Sequence, residues 1–268
     1  MPALGLALAA LIGISLGLLG GGGSILTVPV LVYALGVAAK PAIAMSLPVV
    51  GVTSLIGAAM HWRMGNVHVR TALAFGGVAM VGAFAGAKLA AFLTGAVQLA
   101  LLAVVMLAAG VSMLRGARGA DAVAPAAPPR TALLVAVALG VGVLTGLVGI
   151  GGGFLFVPAL VLLAGIPMRQ AVGTSLLVIT MNSAAGFAGY LGTVAIDWTF
   201  LAGFAAVAIA GALVGTMAAS RVPQAALKRA FAVFLVAVGG FVLYRNRSTF
   251  TGGDDVARVK VAQPAPAR

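Results

Sequence analysis

The stretch GLLGGGGSILTVPVL, Gly17 to Leu31, returns further along the chain as GLVGIGGGFLFVPAL, Gly146 to Leu160. Pro29 falls on Pro158, a shift of 158 − 29 = 129. The same ungapped shift pairs Gly36 with Gly165, Ser46 with Ser175, Gly57 with Gly186, Gly82 with Gly211 and Gly86 with Gly215. Between Gly17 and Val49, 15 of 33 positions are identical to their shifted partners, where compositional bias alone gives roughly 4. One unit is therefore expected twice in the chain. Transporter folds are commonly built this way, with the substrate site where the two units meet.

In each copy an apolar helix runs into glycines, Gly20-Gly21-Gly22-Gly23-Ser24 in the first and Gly149-Ile150-Gly151-Gly152-Gly153 in the second. Glycine costs about 1 kcal/mol relative to alanine in a helix, so regular helix is not expected to continue through these runs. In lipid, unwound backbone persists only where it is buried in protein or lines a wet cavity. A helix restarting at Ile25 or Phe154 would aim free N–H groups and a positive dipole end at such a cavity, which makes an anion site from backbone alone. Close helix packing at a Gly-rich turn is the other reading, and the residues leave both open. Neither run fits a dinucleotide or P-loop pattern, because no strand precedes it and no Gly-Lys-Ser/Thr follows.

Composition places these units in a membrane. Of 268 residues, 62% are hydrophobic and 7% charged, with a mean hydropathy of +1.20. The apolar residues form continuous Ala/Val/Leu/Gly blocks, which indicates spanning helices and not the alternation of barrel strands. They cover 3–19, 25–35, 42–60, 71–92 and 96–114, then 131–148, 154–164, 170–190, 199–219 and 225–244. The expected fold is an all-α polytopic integral membrane protein. It has two homologous repeats of about four transmembrane helices, each opening with a Gly-broken and potentially re-entrant helix. The repeats are residues 1–114 and 131–244. An exposed Ala/Pro/Arg linker, 115–130, separates them, and a polar tail without expected order, 245–268, follows. The N-terminal stretch has no basic region ahead of its apolar run and is expected to be a first membrane segment.

The net charge of +12 comes from 16 Lys and Arg against 4 Asp and Glu. The basic residues sit between apolar blocks and in the tail, as a topology signal and phospholipid contact, without the aromatic interleaving that would suggest nucleic acid. If each half has an odd number of crossings, the halves are inverted. Short loops then gather Arg63, Arg70, Arg115, Arg118, Arg130, Arg169, Arg221, Lys228 and Arg229 on one side, against Lys40 on the other. The basic tail on the poor side favours an eight-crossing parallel arrangement instead, and the sequence leaves the two open.

Beyond the glycines, the next helix of each copy carries a matching polar stripe. Ser46, Thr53 and Ser54 correspond to Ser175, Asn182 and Ser183, with Thr174 and Thr180 added in the second copy. Offsets of seven and eight put each set on one helical face. Hydroxyl and amide donors there can replace water around an oxyanion, or can satisfy their own helix backbone. Pro48 is expected to kink its helix. The pairs Gly13/Gly17, Gly82/Gly86, Gly142/Gly146 and Gly211/Gly215 read as packing faces. His61, Trp62, Arg63 and His68 are expected in a polar loop as an interfacial anchor, with too few ligands for a metal. Lys88 is expected to snorkel from a helix end.

Absences narrow the class. The four acids, Asp121, Asp197, Asp254 and Asp255, all fall in loops or tail. Metal-ion transporters, carboxylate proton relays and intramembrane aspartyl proteases need an intramembrane carboxylate. No Ser/His or Ser/Lys arrangement sits at a credible depth and there is no cysteine, so no enzyme, cofactor or metal site is expected.

The two Gly-rich openings, each followed by a small-polar helix, AIAMSLPVVGVTSLIGA and AVGTSLLVITMNSAAGF, resemble the TauE/SafE family of membrane permeases, the sulfite exporter family. The resemblance covers Leu4 to Tyr244. It implies a multi-pass protein of the bacterial inner membrane that moves sulfite or an organosulfur anion such as a sulfonate. Export driven by membrane potential is the expected mode. The expected partners are membrane lipid and the small inorganic or organosulfur anion, with no nucleic acid; oligomeric state is left open. The expected substrate-binding set is Gly20, Gly21, Gly22, Gly23, Ser24, Ser46, Thr53, Ser54, Gly149, Gly151, Gly152, Gly153, Thr174, Ser175, Asn182 and Ser183. A gated anion channel shares all of these features. A non-transporting membrane subunit shares the composition, without needing a duplicated glycine break.

Overall fold

The structure, a computed structural model, describes residues 3–19, 22–116, 131–218 and 224–246. Among them every regular element is helical. The helices are α1 (Ala3–Leu19), a very short α2 (Thr27–Pro29), α3 (Ala39–Arg63), α4 (Val69–Leu89), α5 (Gly95–Gly116), α6 (Thr131–Val148), α7 (Gly153–Ala164), α8 (Met168–Tyr190), α9 (Trp198–Ala218) and α10 (Gln224–Arg245). Five stretches are long and apolar enough to cross a bilayer: Ala39–Arg63, Val69–Phe92, Gly95–Ser112, Arg169–Tyr190 and Trp198–Ala218. Large apolar side chains such as Val81, Phe92, Val214, Met217 and Val233 face outward. A surface so apolar with so few charges is one that lipid covers. The chain is a multi-pass membrane protein.

Helix boundaries differ from the sequence expectation at three places. α5 runs on through Arg115 to Gly116 and α10 includes Arg245, so linker and tail begin later than expected; most of both lie outside the described residues. His61, Trp62 and Arg63 form the last turn of α3 instead of a loop. The apolar face of α3 extends past its polar stripe, and that is enough to carry the helix through. The segment 22–34 is not the regular helix expected from Ile25. It opens as a 3-10 turn at Gly22–Leu26, passes through α2 and ends as a π turn at Val30–Ala34. Pro29 has no N–H to give and sits where the winding changes.

Glycine contacts give the direction of each helix pair. A Cβ added at Gly13 would land on the Ala208 carbonyl, and one at Gly17 on the Ala212 carbonyl, so α1 and α9 run the same way. Gly142 meets Ala79 and Gly146 meets Ala83, so α4 and α6 do too. Gly76 meets Val178 and Met181 while Gly189 meets Phe84 and Ala87, which makes α4 and α8 parallel. The order reverses between α3 and α8, where Gly51 faces Ser183, Gly57 faces Leu176 and Gly186 faces Leu47. It reverses again between α5 and α10, where Gly110 faces Ala232 and Gly239 faces Ala103.

Two consequences follow. α6 and α8 both run with α4, so the arm containing α7 must carry the chain back between them. Gly17 near the end of α1 shares a cleft with Gly57 and His61 near the end of α3, so 22–34 makes the same return. With 12 residues, α7 is about 18 Å long, short of a 30 Å hydrocarbon core. α3 meets the glycine break of the other half at Gly149 and Gly151, and crosses α8 where Gly51 faces Ser183.

Candidate functional site

The second glycine run is well defined. Gly149, Gly151 and Gly152 hold φ of 75°, 71° and 81°, a left-handed conformation that other residues adopt at a cost. The loop they form turns α6 back into α7. It sits inside the bundle, with Gly149 against Ile43 and Ser46 of α3, and Gly151 against Val50, Ile179 and Ser183. Since Ile43 is four residues beyond Ala39, Gly149 lies about 6 Å or more along α3 from its first residue.

A helix ending there leaves carbonyls that water cannot reach, and side chains from three helices take them. The Tyr190 hydroxyl lies 3.0 Å from the Gly146 carbonyl oxygen and 3.2 Å from that of Leu147. Gln98 Nε2 donates to the Leu147 carbonyl at 2.9 Å and to the Tyr190 hydroxyl at 3.2 Å. The Ser46 hydroxyl reaches the Gly149 carbonyl at 2.6 Å. Asn182 Nδ2 donates to the Thr145 hydroxyl at 2.6 Å, which in turn donates to the Gly142 carbonyl. All five side chains are buried. Gln98, Tyr190 and Thr145 were not among the residues expected from sequence. A lone amide in the apolar block 96–114 was the signal for Gln98, because a buried amide needs a partner.

The first run is described only in part, since Gly20 and Gly21 lie outside the described residues. Gly22 opens the 3-10 turn, Gly23 packs on the backbone of Ser15 and Leu16, and Ser24 and Thr27 are buried. Beside it a narrow cleft between α1, α3, α8 and α9 is lined by Gly17, Thr53, Ser54, Gly57, His61 and Thr216, with three apolar neighbours.

The expected polar stripe divides into two groups. Ser46, Thr53, Ser175 and Thr180 donate to backbone carbonyls three or four residues back in their own helices. Thr174 accepts the backbone N–H of His68 at 2.9 Å, which ties the α3–α4 turn to α8. Ser54 and Ser183 differ. Both hydroxyls are buried, 1% and 0% exposed at the residue level, and neither has a hydrogen-bond partner; the Asn182 Oδ1 atom is likewise unpaired. A buried hydroxyl without a partner costs roughly 1–3 kcal/mol, so these are positions where a ligand is worth most. Ser54 lines the cleft and Ser183 faces Gly151, on antiparallel helices that cross between them.

Lys88 lies on the outside, its ammonium 5.6 Å from the centre of the Phe84 ring. It takes no part in the cleft. Among the described residues there is no cluster of groups able to hold a metal ion.

Helices folded back at mid-bundle beside unpaired hydroxyls define a class, the multi-pass membrane transporters with broken helices. The sequence profile of the family described as "Sulfite exporter TauE/SafE" matches residues 5–242, and the chain belongs to that family. A "Probable membrane transporter protein" of Xylella fastidiosa (strain 9a5c) is 36% identical over 246 residues, 88% of this chain and 92% of its own. The "Probable membrane transporter protein YdhB" of Bacillus subtilis (strain 168) is 32% identical over 240 residues, 87% of this chain and 96% of its own. A "Probable membrane transporter protein MJ0441" of Methanocaldococcus jannaschii is 26% identical over 206 residues, 75% of this chain and 76% of its own. No solved structure matches.

Proposed function

We propose that this protein is a permease for a small anion, sulfite or an organosulfur anion such as a sulfonate, and that it works as two inverted repeats. The family's description as sulfite exporters suggests the cargo class. The antiparallel pairing of α3 with α8 and of α5 with α10 supports inversion, because equivalent helices around an axis in the membrane plane must run oppositely. Each half then contributes one glycine break and one unpaired serine, and the path follows the α3–α8 crossing.

The helix directions put Arg63, Arg70, Arg115, Arg169, Lys228 and Arg229 at one end of the bundle, against Lys40, Lys88 and Arg245 at the other. The richer end is the cytoplasmic one by the positive-inside rule, in a bacterial inner membrane. The cleft ending at His61 then faces the cytoplasm. No carboxylate lies within any described helix, so the usual site for a coupling cation is missing, and membrane potential is left as the drive for export.

The observation that carries this reading is the pair of buried, partnerless hydroxyls, Ser54 in the cleft with Gly17 and Ser183 against the second break at Gly151. Purified protein in liposomes, assayed with sulfite, sulfonates, sulfate and thiosulfate, tests it. For the anion that moves, Ser54→Ala together with Ser183→Ala is expected to weaken binding by about tenfold or more, since a hydrogen bond to a charged ligand is worth roughly 1.5–3 kcal/mol. Thermal stability is expected to stay level, because neither hydroxyl is bonded in the free protein. Unchanged affinity, or no flux of any anion in the panel, counts against the proposal.

A further inference from the structure

The shift that aligns the glycine runs also places His61 opposite Tyr190, 190 − 61 = 129, and Thr53 and Ser54 opposite Asn182 and Ser183. The two ends of the bundle fill this shared position differently. At one, Tyr190 is 2% exposed, its hydroxyl set on the carbonyls at the end of α6 and held by Gln98. A phenol of that length closes the space between α6 and α8. At the other end the equivalent space is the cleft. His61 is shorter than tyrosine and leaves a narrow gap of about 10 Å³, the room of about one water, which an anion has to widen. Its buried Nδ1 has no hydrogen-bond partner, and neither does the Ser54 hydroxyl lining the same cleft.

The charges around His61 can be named element by element. α8 brings the Arg169 guanidinium, whose like charge acts on the imidazole through space, and α3 itself carries Arg63 two residues further on. His68, in the turn after α3, is held by its Nε2 on Gln170 Oε1 at 2.6 Å. α1 and α9 line the cleft with Leu16, Gly17, Ala212 and Thr216 and bring no titratable group. None of these four helices contains a carboxylate. Among the described residues an imidazolium here therefore has no counter-ion, and a small oxyanion supplies what is missing: negative charge for the ring and acceptor oxygens for Ser54.

We propose that His61 is the anion-recognising residue of this protein, holding the cargo with Ser54 in the cleft, and that Tyr190 is the plug of the equivalent space at the opposite end. This rests on the reading of the protein as an anion permease. It makes the two halves unequal. One offers a pocket that turns cationic when its imidazole is protonated and so strengthens at low pH, and the other a neutral tyrosine gate without that dependence.

The chain contains no cysteine, so single thiols can report on each end without background. Thr216→Cys lines the cleft, and Ala87→Cys is its shifted counterpart, 216 − 87 = 129, at the Tyr190 end, where Ala87 is 1% exposed. The probe is a pair of methanethiosulfonates of similar size, one carrying a sulfonate and one a quaternary ammonium. Their rate ratio cancels the titration of the thiol itself. At Thr216→Cys the sulfonate reagent is expected to be favoured about fivefold or more near pH 5.5, with the preference fading by about pH 8.5. His61→Gln in that background should stay reactive and lose the pH dependence, and His61→Tyr should slow both reagents. Ala87→Cys should react slowly with either.

A cleft thiol with no charge preference at any pH, or with a preference that survives His61→Gln, overturns the proposal. Equal reactivity of Ala87→Cys overturns the plug. If a His61 variant fails to give a single size-exclusion peak, sulfite protection of Thr216→Cys in the otherwise native chain decides instead, with protection at low pH expected and equal protection at both pH values contrary. A pH-dependent sulfonate preference in a protein that moves no anion would leave this cleft standing and sink the permease reading.

Discussion

Gly151→Leu is expected to abolish transport, lowering flux by more than about tenfold, while the protein still inserts and purifies. Gly151 holds φ of 71°, and a Cβ there would stand 2.5 Å from Val50 Cγ1, 3.2 Å from Ile179 Cγ2 and 3.4 Å from Ser183 Oγ. A left-handed leucine costs about 1–2 kcal/mol, and overpacking adds about 1–3 kcal/mol. The loop can relieve both only by rewinding toward helix or shifting away from α3 and α8. Either movement displaces the start of α7 from Ser183. Flux in liposomes, compared at equal incorporated protein, checks this, and wild-type flux would show that the break does not line the path. Gly36→Leu is the matched substitution, since Gly36 has φ of 67° with nothing near its Cβ position; it carries the backbone strain without the collision and should keep most of its flux.

Gly146→Leu should do something different and more severe, namely prevent the fold. A Cβ on Gly146 would land on the Ala83 carbonyl, and Gly82, Gly86 and Gly142 meet the same seam from both sides. Helices in lipid have little hydrophobic drive toward each other, so close backbone approach is a main source of their association. Collision with backbone has no flexible side chain to give way, and losses above about 4 kcal/mol fall in this class. Gly140→Leu, six residues earlier in α6, meets nothing within 4 Å and is expected to be silent. Thermal unfolding and size-exclusion profiles in detergent separate the two. The same contrast should hold between Gly17, set on the Ala212 carbonyl, and Gly77, which is unopposed.

The membrane class, the glycine breaks and the four GxxxG faces were legible because each follows from local composition. A run of glycines cannot continue a helix, and small residues four apart make one face. What could not be read locally was which helix each face meets. The pairs α1 with α9 and α4 with α6 join opposite halves of the chain, and neither sequence spacing nor charge counts choose that partner. The helix directions that bear on inversion came from those contacts. The polar stripe shows the same limit. Ser46, Thr53, Ser54 and Ser183 look alike in sequence, yet Ser46 caps the Gly149 carbonyl, Thr53 bonds its own helix, and only Ser54 and Ser183 are left without partners. His61 looked like a loop residue because its neighbours Trp62, Arg63 and His68 are polar or interfacial; the helix runs far enough to put its ring in the cleft.

The central claim is that this protein carries an anion along the α3–α8 crossing under the pull of membrane potential alone. Liposomes loaded with sulfite, with an imposed K⁺ diffusion potential and neither a pH nor a Na⁺ gradient, test it directly. An inside-negative potential moves a monoanion outward with about 2.3 kcal/mol per 100 mV, and a dianion with twice that. Efflux that rises with the imposed potential, reverses sign with it, and disappears in Gly151→Leu is the expected result. Flux that ignores voltage and follows an imposed pH gradient would contradict it.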